Sequence, residues 1–490
     1  MTACGEVSEV ADRDNDTSFS DDPDDTTQPT AGQDLDDVED RFVGDGMGED
    51  DAVILAALQD VESYWEVEYP EVFGDEFEPV SGGLFAYGPD TDSPPCGSPH
   101  PSYEDIAANA FYCPPADLIA WDTDSLVPDL KAAFGDFTLG IVMAHEYAHA
   151  IQERASLFGL TITSEQQADC WAGSWTKWVA DGNAANFSVT LADLDSALAG
   201  FLQLRDAVGT PAADPLAHGS AFDRIGAFQD GFINGAGECA SYEDDNLDVV
   251  DIPFGSQADF DSGGNAPFDE VEGFSVSDLD GFWTTVFPAA FNQEWDPPEA
   301  LALFPSDDDL PSCGSEPVTP DILAENAFYC AEDDFVAWDT EELMPELYEE
   351  VGDFAMSTVI GSQYSRAAQI KLGNVDGSLE TNLQADCFTG SWVASSVLQD
   401  RGELNSETNP AGNAFILSPG DLDEAVIAFL RNGDAADDFE AGEGENGTAF
   451  LRLTSFRSGF VAALDRGDSQ AGIDACLQNL AVDTDPGGGT

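Results

Sequence analysis

Ala144-His145-Glu146-Tyr147-Ala148-His149-Ala150 sets two imidazoles four residues apart, with a carboxylate beside the first. On an α-helix, positions i and i+4 share a face, so His145 and His149 can grip a single ion such as Zn²⁺ while Glu146 points at water bound to it. The chain has only four histidines in 490 residues, so this spacing is a poor product of chance. The competing reading is a helix whose histidines hydrogen-bond at a surface.

A zinc site needs a third protein ligand, and catalysis needs a fourth position left to water. No glycine and histidine follow His149 at the spacing of one common solution. Downstream instead comes Ser164-Glu165-Gln166-Gln167-Ala168-Asp169-Cys170-Trp171-Ala172-Gly173. As a helix capped by Ser164, it sets Glu165 and Asp169 on one face. Glu165 is then the natural third ligand, and Asp169 is placed to accept the spare ring N–H of a ligand histidine, fixing its tautomer. An ordinary solvated acidic pair is the alternative, and the spacing argues against it.

H-E-x-x-H followed by E-x-x-x-D resembles the gluzincin arrangement of thermolysin-like enzymes. More closely, His145 to His149, Gln152, the run Glu165 to Gly173 and the upstream Asn109-Ala110-Phe111-Tyr112-Cys113 resemble the bacterial "putative neutral zinc metallopeptidase" family. His218-Gly219-Ser220 is similar to a His-Gly-Thr of that family, and the likeness continues from Arg224 to Gly231. It covers roughly residues 80 to 240. The resemblance implies zinc ligands His145, His149 and Glu165, with Glu146 as the base. His218 reads equally as a donor to the oxyanion of a tetrahedral intermediate or as a surface histidine in a loop. His100, in a Pro-rich loop, reads as surface.

The chain also repeats itself. A shift of 217 residues maps Cys96 onto Cys313, Cys113 onto Cys330, Trp121-Asp122 onto Trp338-Asp339, Gly135-Asp136-Phe137 onto Gly352-Asp353-Phe354 and Cys170 onto Cys387. Farther on the offset grows, so that Arg224 matches Arg452 and Cys239 matches Cys476. This is the signature of a tandem duplication. At the site positions His145 becomes Ser362, Glu146 becomes Gln363, His149 becomes Arg366 and Glu165 becomes Asn382, while His218 falls opposite Asn446. Tyr147, Gln152, Asp169, Gly173 and Trp175 keep their counterparts Tyr364, Gln369, Asp386, Gly390 and Trp392. Scaffold persists where the ligands do not, and Arg366 sets a fixed positive charge where a cation should sit. One zinc per chain, in the first copy, is expected. Tyr112 and Tyr147 survive in the second copy, which favours packing over catalysis for both.

Eight of nine cysteines occupy equivalent places in the two copies and read as a disulfide framework, Cys96 with Cys113, Cys170 with Cys239, Cys313 with Cys330 and Cys387 with Cys476. Disulfides imply an oxidising, extracytoplasmic setting. The ninth, Cys4 in Met1-Thr2-Ala3-Cys4-Gly5, looks like the tail of a lipobox and marks a lipidation site, making the protein a secreted or cell-surface lipoprotein. The formal charge of −84 repels nucleic-acid phosphates and anionic lipid, so neither is an expected partner, and it suits a saline medium where screening makes dense carboxylates tolerable. No run of eighteen apolar residues spans a membrane.

These signals predict a mainly helical α+β fold. Residues 1–51 form a disordered acidic tail, 52–240 an active zincin-like domain, 241–267 an acidic, Gly-rich linker and 268–490 a degenerate repeat without metal ligands. In the first domain a helix over 52–69 precedes a Pro/Gly-rich loop, two short strands over 110–113 and 118–121, and a long helix from Ser125 broken at Gly135-Asp136. The active-site helix over 138–156 follows, then helices over 165–179, 191–208 and 219–233. The function expected is a zinc endopeptidase acting on a peptide or protein substrate. A non-catalytic surface binding protein with a structural or vestigial zinc is the alternative; Glu146 beside both histidines speaks for chemistry.

Overall fold

The computed structural model describes residues 36–44, 46–245, 247, 249–307, 309–374, 378–400, 416–431 and 447–478. Cys4 and most of the acidic tail lie outside these residues. The chain is a mainly helical α+β protein, 58% helix and 8% strand, and divides into two compact units, one up to Val250 and one over Asp251–Thr484. No helix among the described residues is long and apolar enough to cross a membrane.

In the first unit, strand β1 (Phe42–Val43) precedes helix α1 (Glu49–Phe73). Gly48 N donates to Asp51 Oδ2 at the N-terminus of α1, where three acidic residues favour the helix dipole. Strands β2 (Gly83–Tyr87), β3 (Ala110–Cys113) and β4 (Leu118–Asp122) complete a sheet of order β1-β2-β4-β3, in which β3 alone runs antiparallel to its neighbour. Strands β3 and β4 lie where the sequence set them. β2 falls inside a stretch that reads as Pro/Gly-rich loop; it is sustained by parallel pairing with β4, Leu84 opposite Ile119, which no local pattern announces. β1 belongs to the expected tail, and Arg41 anchors it through two bonds to Glu62 (2.8 and 2.6 Å).

Four helices follow: α2 (Leu126–Ala155), α3 (Thr161–Ala180), α4 (Leu191–Gln203) and α5 (Ala221–Asn234). The break expected in α2 is present, with Gly135 at φ 80°. Helix α3 begins four residues before the anticipated start, with Leu160 as its N-cap, so Ser164 is an interior residue and not a cap. Its Trp171 and Trp175 are buried, and Phe137 stacks on Trp175 at 5.6 Å, as packing residues do.

The second unit follows a similar order from the first long helix onward, with no counterpart of β1 among the described residues and two helices where α2 is one. Helix α6 (Phe268–Phe291) and strands β5 (Glu299–Leu303), β6 (Ala327–Cys330) and β7 (Phe335–Asp339) come first, the sheet running β5-β7-β6. Helices α7 (Leu343–Glu350), α8 (Asp353–Lys371), α9 (Leu379–Asp400), α10 (Asp421–Arg431) and α11 (Ala449–Arg466) follow. The four disulfides Cys96–Cys113, Cys170–Cys239, Cys313–Cys330 and Cys387–Cys476 are formed as the spacing suggested. Residues 257–266 hydrogen-bond within the second unit: Ala266 N donates to Asp353 Oδ2, and Asp259 Oδ1 accepts from Ser418 Oγ.

Helices α3 and α5 approach backbone to backbone. A methyl group on Gly173 would overlap the carbonyl oxygen of Phe228, and one on Gly231 that of Cys170. Gly390 and Gly459 stand in the same relation to Phe456 and Cys387. Gly173→Ala should therefore lower stability by about 1–3 kcal/mol, since a packed interface has no room for the carbon. A urea midpoint unchanged by that substitution would refute the close approach.

Candidate metal centre

Helix α2 presents His145, Glu146 and His149, and α3 presents Glu165 and Asp169. His145, His149 and Glu165 are buried, and each offers a donor atom within 4.8 Å of the others'. His145 Nε2 lies 3.2 Å from Glu165 Oε2, and His149 Nε2 lies 3.6 Å from Glu165 Oε1. His145 Nε2 and Glu165 Oε1 nevertheless make no hydrogen bond. Buried polar atoms of this kind are rarely left without a partner, and two imidazole nitrogens with a carboxylate are the donor set of a catalytic zinc. The residues fit the ion.

Each histidine is held from behind. His145 Nδ1 meets Asp169 Oδ1 at 2.7 Å, and Asp169 accepts from Arg224 Nε and Nη2 at 2.8 and 2.9 Å. His149 Nδ1 meets Gln152 Oε1 at 2.9 Å, and Gln152 Nε2 donates to Ser164 O and to Gln167 Oε1. These contacts leave each ring's Nε2 as the atom nearest Glu165 and fix the tautomer that ligation needs. Burial opposes ionisation of Glu165, but the facing His149 and His145 outweigh it and hold the carboxyl down to about 2. Burial likewise opposes charge on His145, and Asp169 with Glu165 reverses this, holding the imidazole up to about 10. The pocket is built to balance positive charge.

Glu146 is buried, and its Oε2 accepts from the backbone N–H of Tyr112 at 3.0 Å. That amide points off the outer edge of β3, away from β4. The Tyr112 side chain turns elsewhere: its hydroxyl donates to Asp117 Oδ1 (2.9 Å), which also pairs with Arg154 near the end of α2 (3.1 Å). Tyr147 bonds Glu62 and the Val80 amide. Both hydroxyls are thus engaged by scaffold residues.

His218, in the loop before α5, has Nδ1 3.0 Å from Asp206 Oδ1, and its own amide donates to Asp206 Oδ2 at 2.7 Å. It is close enough to Glu165 for their charges to interact. His100 is exposed in its loop. The sequence reading missed Asp206, twelve residues before its partner in an irregular segment with no periodic signal. It gave no role to Arg224, although retention as Arg452 was visible, and it could not foresee a backbone amide as the partner of Glu146.

In the second unit Ser362, Gln363, Arg366 and Asn382 line a cavity of about 450 Å³. Arg452 still pairs with Asp386 (2.8 and 3.0 Å), and Gln369 still donates to Gln384.

The profile of the family described as "Putative neutral zinc metallopeptidase" matches residues 44–242, a span that contains this whole site. Uncharacterized protein YpfJ of Escherichia coli strain K12 is 30% identical over 152 residues, which cover 26% of this chain and 50% of that protein. Uncharacterized protein Rv2575 of Mycobacterium tuberculosis is 28% identical over 151 residues, 26% of this chain and 52% of that protein. The chain thus spans about half the length of the curated relatives it matches. No solved structure matches it.

Gln152 touches no other donor of the centre, so removing it isolates the effect of orienting His149. Gln152→Ala should weaken zinc binding by about 10–100-fold in competition with a chromophoric chelator while leaving the far-UV spectrum intact. Unchanged affinity would show that His149 needs no such support.

Proposed function

We propose that this chain is a zinc-dependent endopeptidase, an extracytoplasmic protein whose first unit carries the single metal centre and whose second unit is a duplicated, catalytically inactive counterpart. The observation that supports it most is the convergence of His145, His149 and Glu165 with Glu146 on the same helix as the two histidines. A purely structural zinc has no use for a base at that position.

When bound, Zn²⁺ supplies Lewis acidity, which makes water a better acid and polarises a carbonyl. His145, His149 and Glu165 would hold it, with Asp169 and Gln152 keeping the rings aligned. Glu146 takes the proton of the attacking water on a carboxylate oxygen and later delivers it to the departing amine nitrogen. The Tyr112 amide steadies that carboxylate. An extended peptide can lie along the outer edge of β3, pairing with its remaining main-chain groups, since the Tyr112 amide is taken by Glu146. His218, oriented by Asp206, is suited to donate to the oxyanion that forms during attack.

The second unit lacks every ligand at the corresponding positions while keeping the Asp386–Arg452 pair and the Gln369–Gln384 bond. Four disulfides favour an oxidising compartment.

Glu146→Gln should keep one zinc per full-length chain and lower cleavage of an unfolded protein substrate by about 10²–10⁴-fold, the range for loss of a positioned base. Undiminished cleavage with zinc retained would remove Glu146 from the mechanism. Metal analysis of full-length His149→Ala, in a zinc-replete buffer followed by desalting, should find less than a stoichiometric zinc; a full equivalent there would locate the ion elsewhere.

A further inference from the structure

Three carboxylates in the second unit meet in the interior, and none forms an ion pair with Lys, Arg or His among the described residues. Asp353 opens helix α8, Asp421 opens α10, and Glu424 follows Asp421 by one turn. Asp353 and Asp421 are each 1% exposed, and Glu424 9%. One oxygen of each is held by a backbone amide: Asp353 Oδ2 by Ala266 N (2.9 Å), Asp421 Oδ2 by Ser418 N (2.8 Å) and Glu424 Oε2 by Phe354 N (2.8 Å). The other aspartate oxygens, Oδ1 of Asp353 and Oδ1 of Asp421, are buried without a hydrogen bond. The three residues bring one oxygen apiece within 4.8 Å of one another. Asp259, whose Oδ1 accepts from Ser418 Oγ (2.8 Å), adds negative charge from the short helix Gln257–Asp261.

The first unit has a different answer at the same place. At the 217-residue offset Asp353 corresponds to Asp136, and Tyr348 to Lys131; at the offset that joins Arg224 to Arg452, Asp421 corresponds to Asp193 and Glu424 to Ser196. There Lys131 Nζ sits 3.0 Å from Asp136 Oδ1 and 2.8 Å from Asp50, supplying a positive charge from the chain itself. In the second unit the lysine has become Tyr348, which packs on Phe268 (ring centroids 5.3 Å) and donates to Ala266 O, and the serine has become a third carboxylate. The second unit thus lacks a cation that is partly exposed in the first and has an added, buried anion, a costly change unless something offsets it.

We propose that Asp353, Asp421 and Glu424 form a calcium site that ties residues 259–266 to the N-termini of α8 and α10. The donors are all oxygen, which selects a hard cation over zinc, and their spread suits bonds of about 2.3–2.6 Å to Ca²⁺. Mg²⁺ demands a near-ideal octahedron at about 2.0–2.1 Å, whereas Ca²⁺ accepts an irregular arrangement such as three side chains from separate segments provide, with water completing its 6–8 oxygens. Without a cation, burial and then repulsion from Asp353 push Glu424 up to about 8, so retained protons are the rival means of neutralising the cluster.

The test uses the full-length, zinc-loaded protein freed of calcium, in molar KCl to screen diffuse attraction to the acidic surface. Wild type should take up one equivalent of ⁴⁵Ca²⁺ tightly, and its melting temperature should rise with Ca²⁺ and much less with Mg²⁺. Glu424→Ser, which installs the first unit's residue, and Asp421→Asn should each weaken that equivalent by about 100-fold, affinity in such sites following the count of charged ligands. Glu294→Ser, at an exposed carboxylate, should leave it intact. The proposal fails if wild type binds no more tightly than Glu424→Ser, if Mg²⁺ and Ca²⁺ stabilise it equally, or if Asp421→Asn matches or exceeds wild-type stability in saturating Ca²⁺. The last result would mark a proton-sharing cluster. Should either variant fail to fold, the comparison of Ca²⁺ with Mg²⁺ on wild type still decides.

Discussion

A carboxylate sealed from water must have its charge answered within the protein, and Asp169 is answered twice. Arg224 reaches it from α5 with two nitrogens, and His145 reaches it from α2. One side chain on α3 thereby fixes the separation of three helices and, with it, the distance from Glu165 to both imidazoles. Burial opposes its ionisation, but Arg224 first and then His145 hold it below the usual carboxylate range, so it faces the ring as an anion. Removing one partner from such a network leaves an unanswered buried charge, an expensive defect. The counterpart Asp386 keeps its arginine although Ser362 stands where the histidine would be. The ion pair is common to both units, and a histidine joins it only in the first.

What the sequence made legible was whatever repeats or has a fixed period. The i, i+4 histidines, the Glu165/Asp169 face, the Gly135 break and the paired cysteines all follow from helical spacing or from the two-fold recurrence of the chain. Strands β3 and β4 were visible because they are short apolar runs bounded by turn residues. Strand β2 was hidden because its sustaining partner, β4, lies more than thirty residues away and its five residues are largely buried, without alternation. Asp206 was hidden because a loop carboxylate is chosen by tertiary geometry alone. Ser164 misled because a good capping residue need not be used: the helix starts earlier, and Ser164 contributes its backbone oxygen to Gln152.

The same reasoning separates sites from scaffold among the many acidic residues of a chain with formal charge −84. Buried carboxylates are common here, and most are saturated with donors. Asp60 accepts from the amides of Ala185, Asn186 and Phe187. Asp122 accepts from Ala108 N, Asp124 N and Ser125 Oγ, organising the turn into α2. Such groups exchange hydration for a full set of protein hydrogen bonds and call for no ligand.

Glu165, Asp353 and Asp421 differ in kind. Each is fully buried and keeps an oxygen without a donor, and each of those residues belongs to a converging set of three. In the first unit the set contains two imidazoles, whose softer nitrogen donors favour zinc. In the second it is wholly carboxylate, which favours a harder ion. An acidic surface can be kept in solution by water and salt, but an interior oxygen has neither, so the orphaned oxygen rather than the acidic residue is the informative feature. Among the described residues, an orphaned carboxylate oxygen coincides with a converging set of three donors once in each unit.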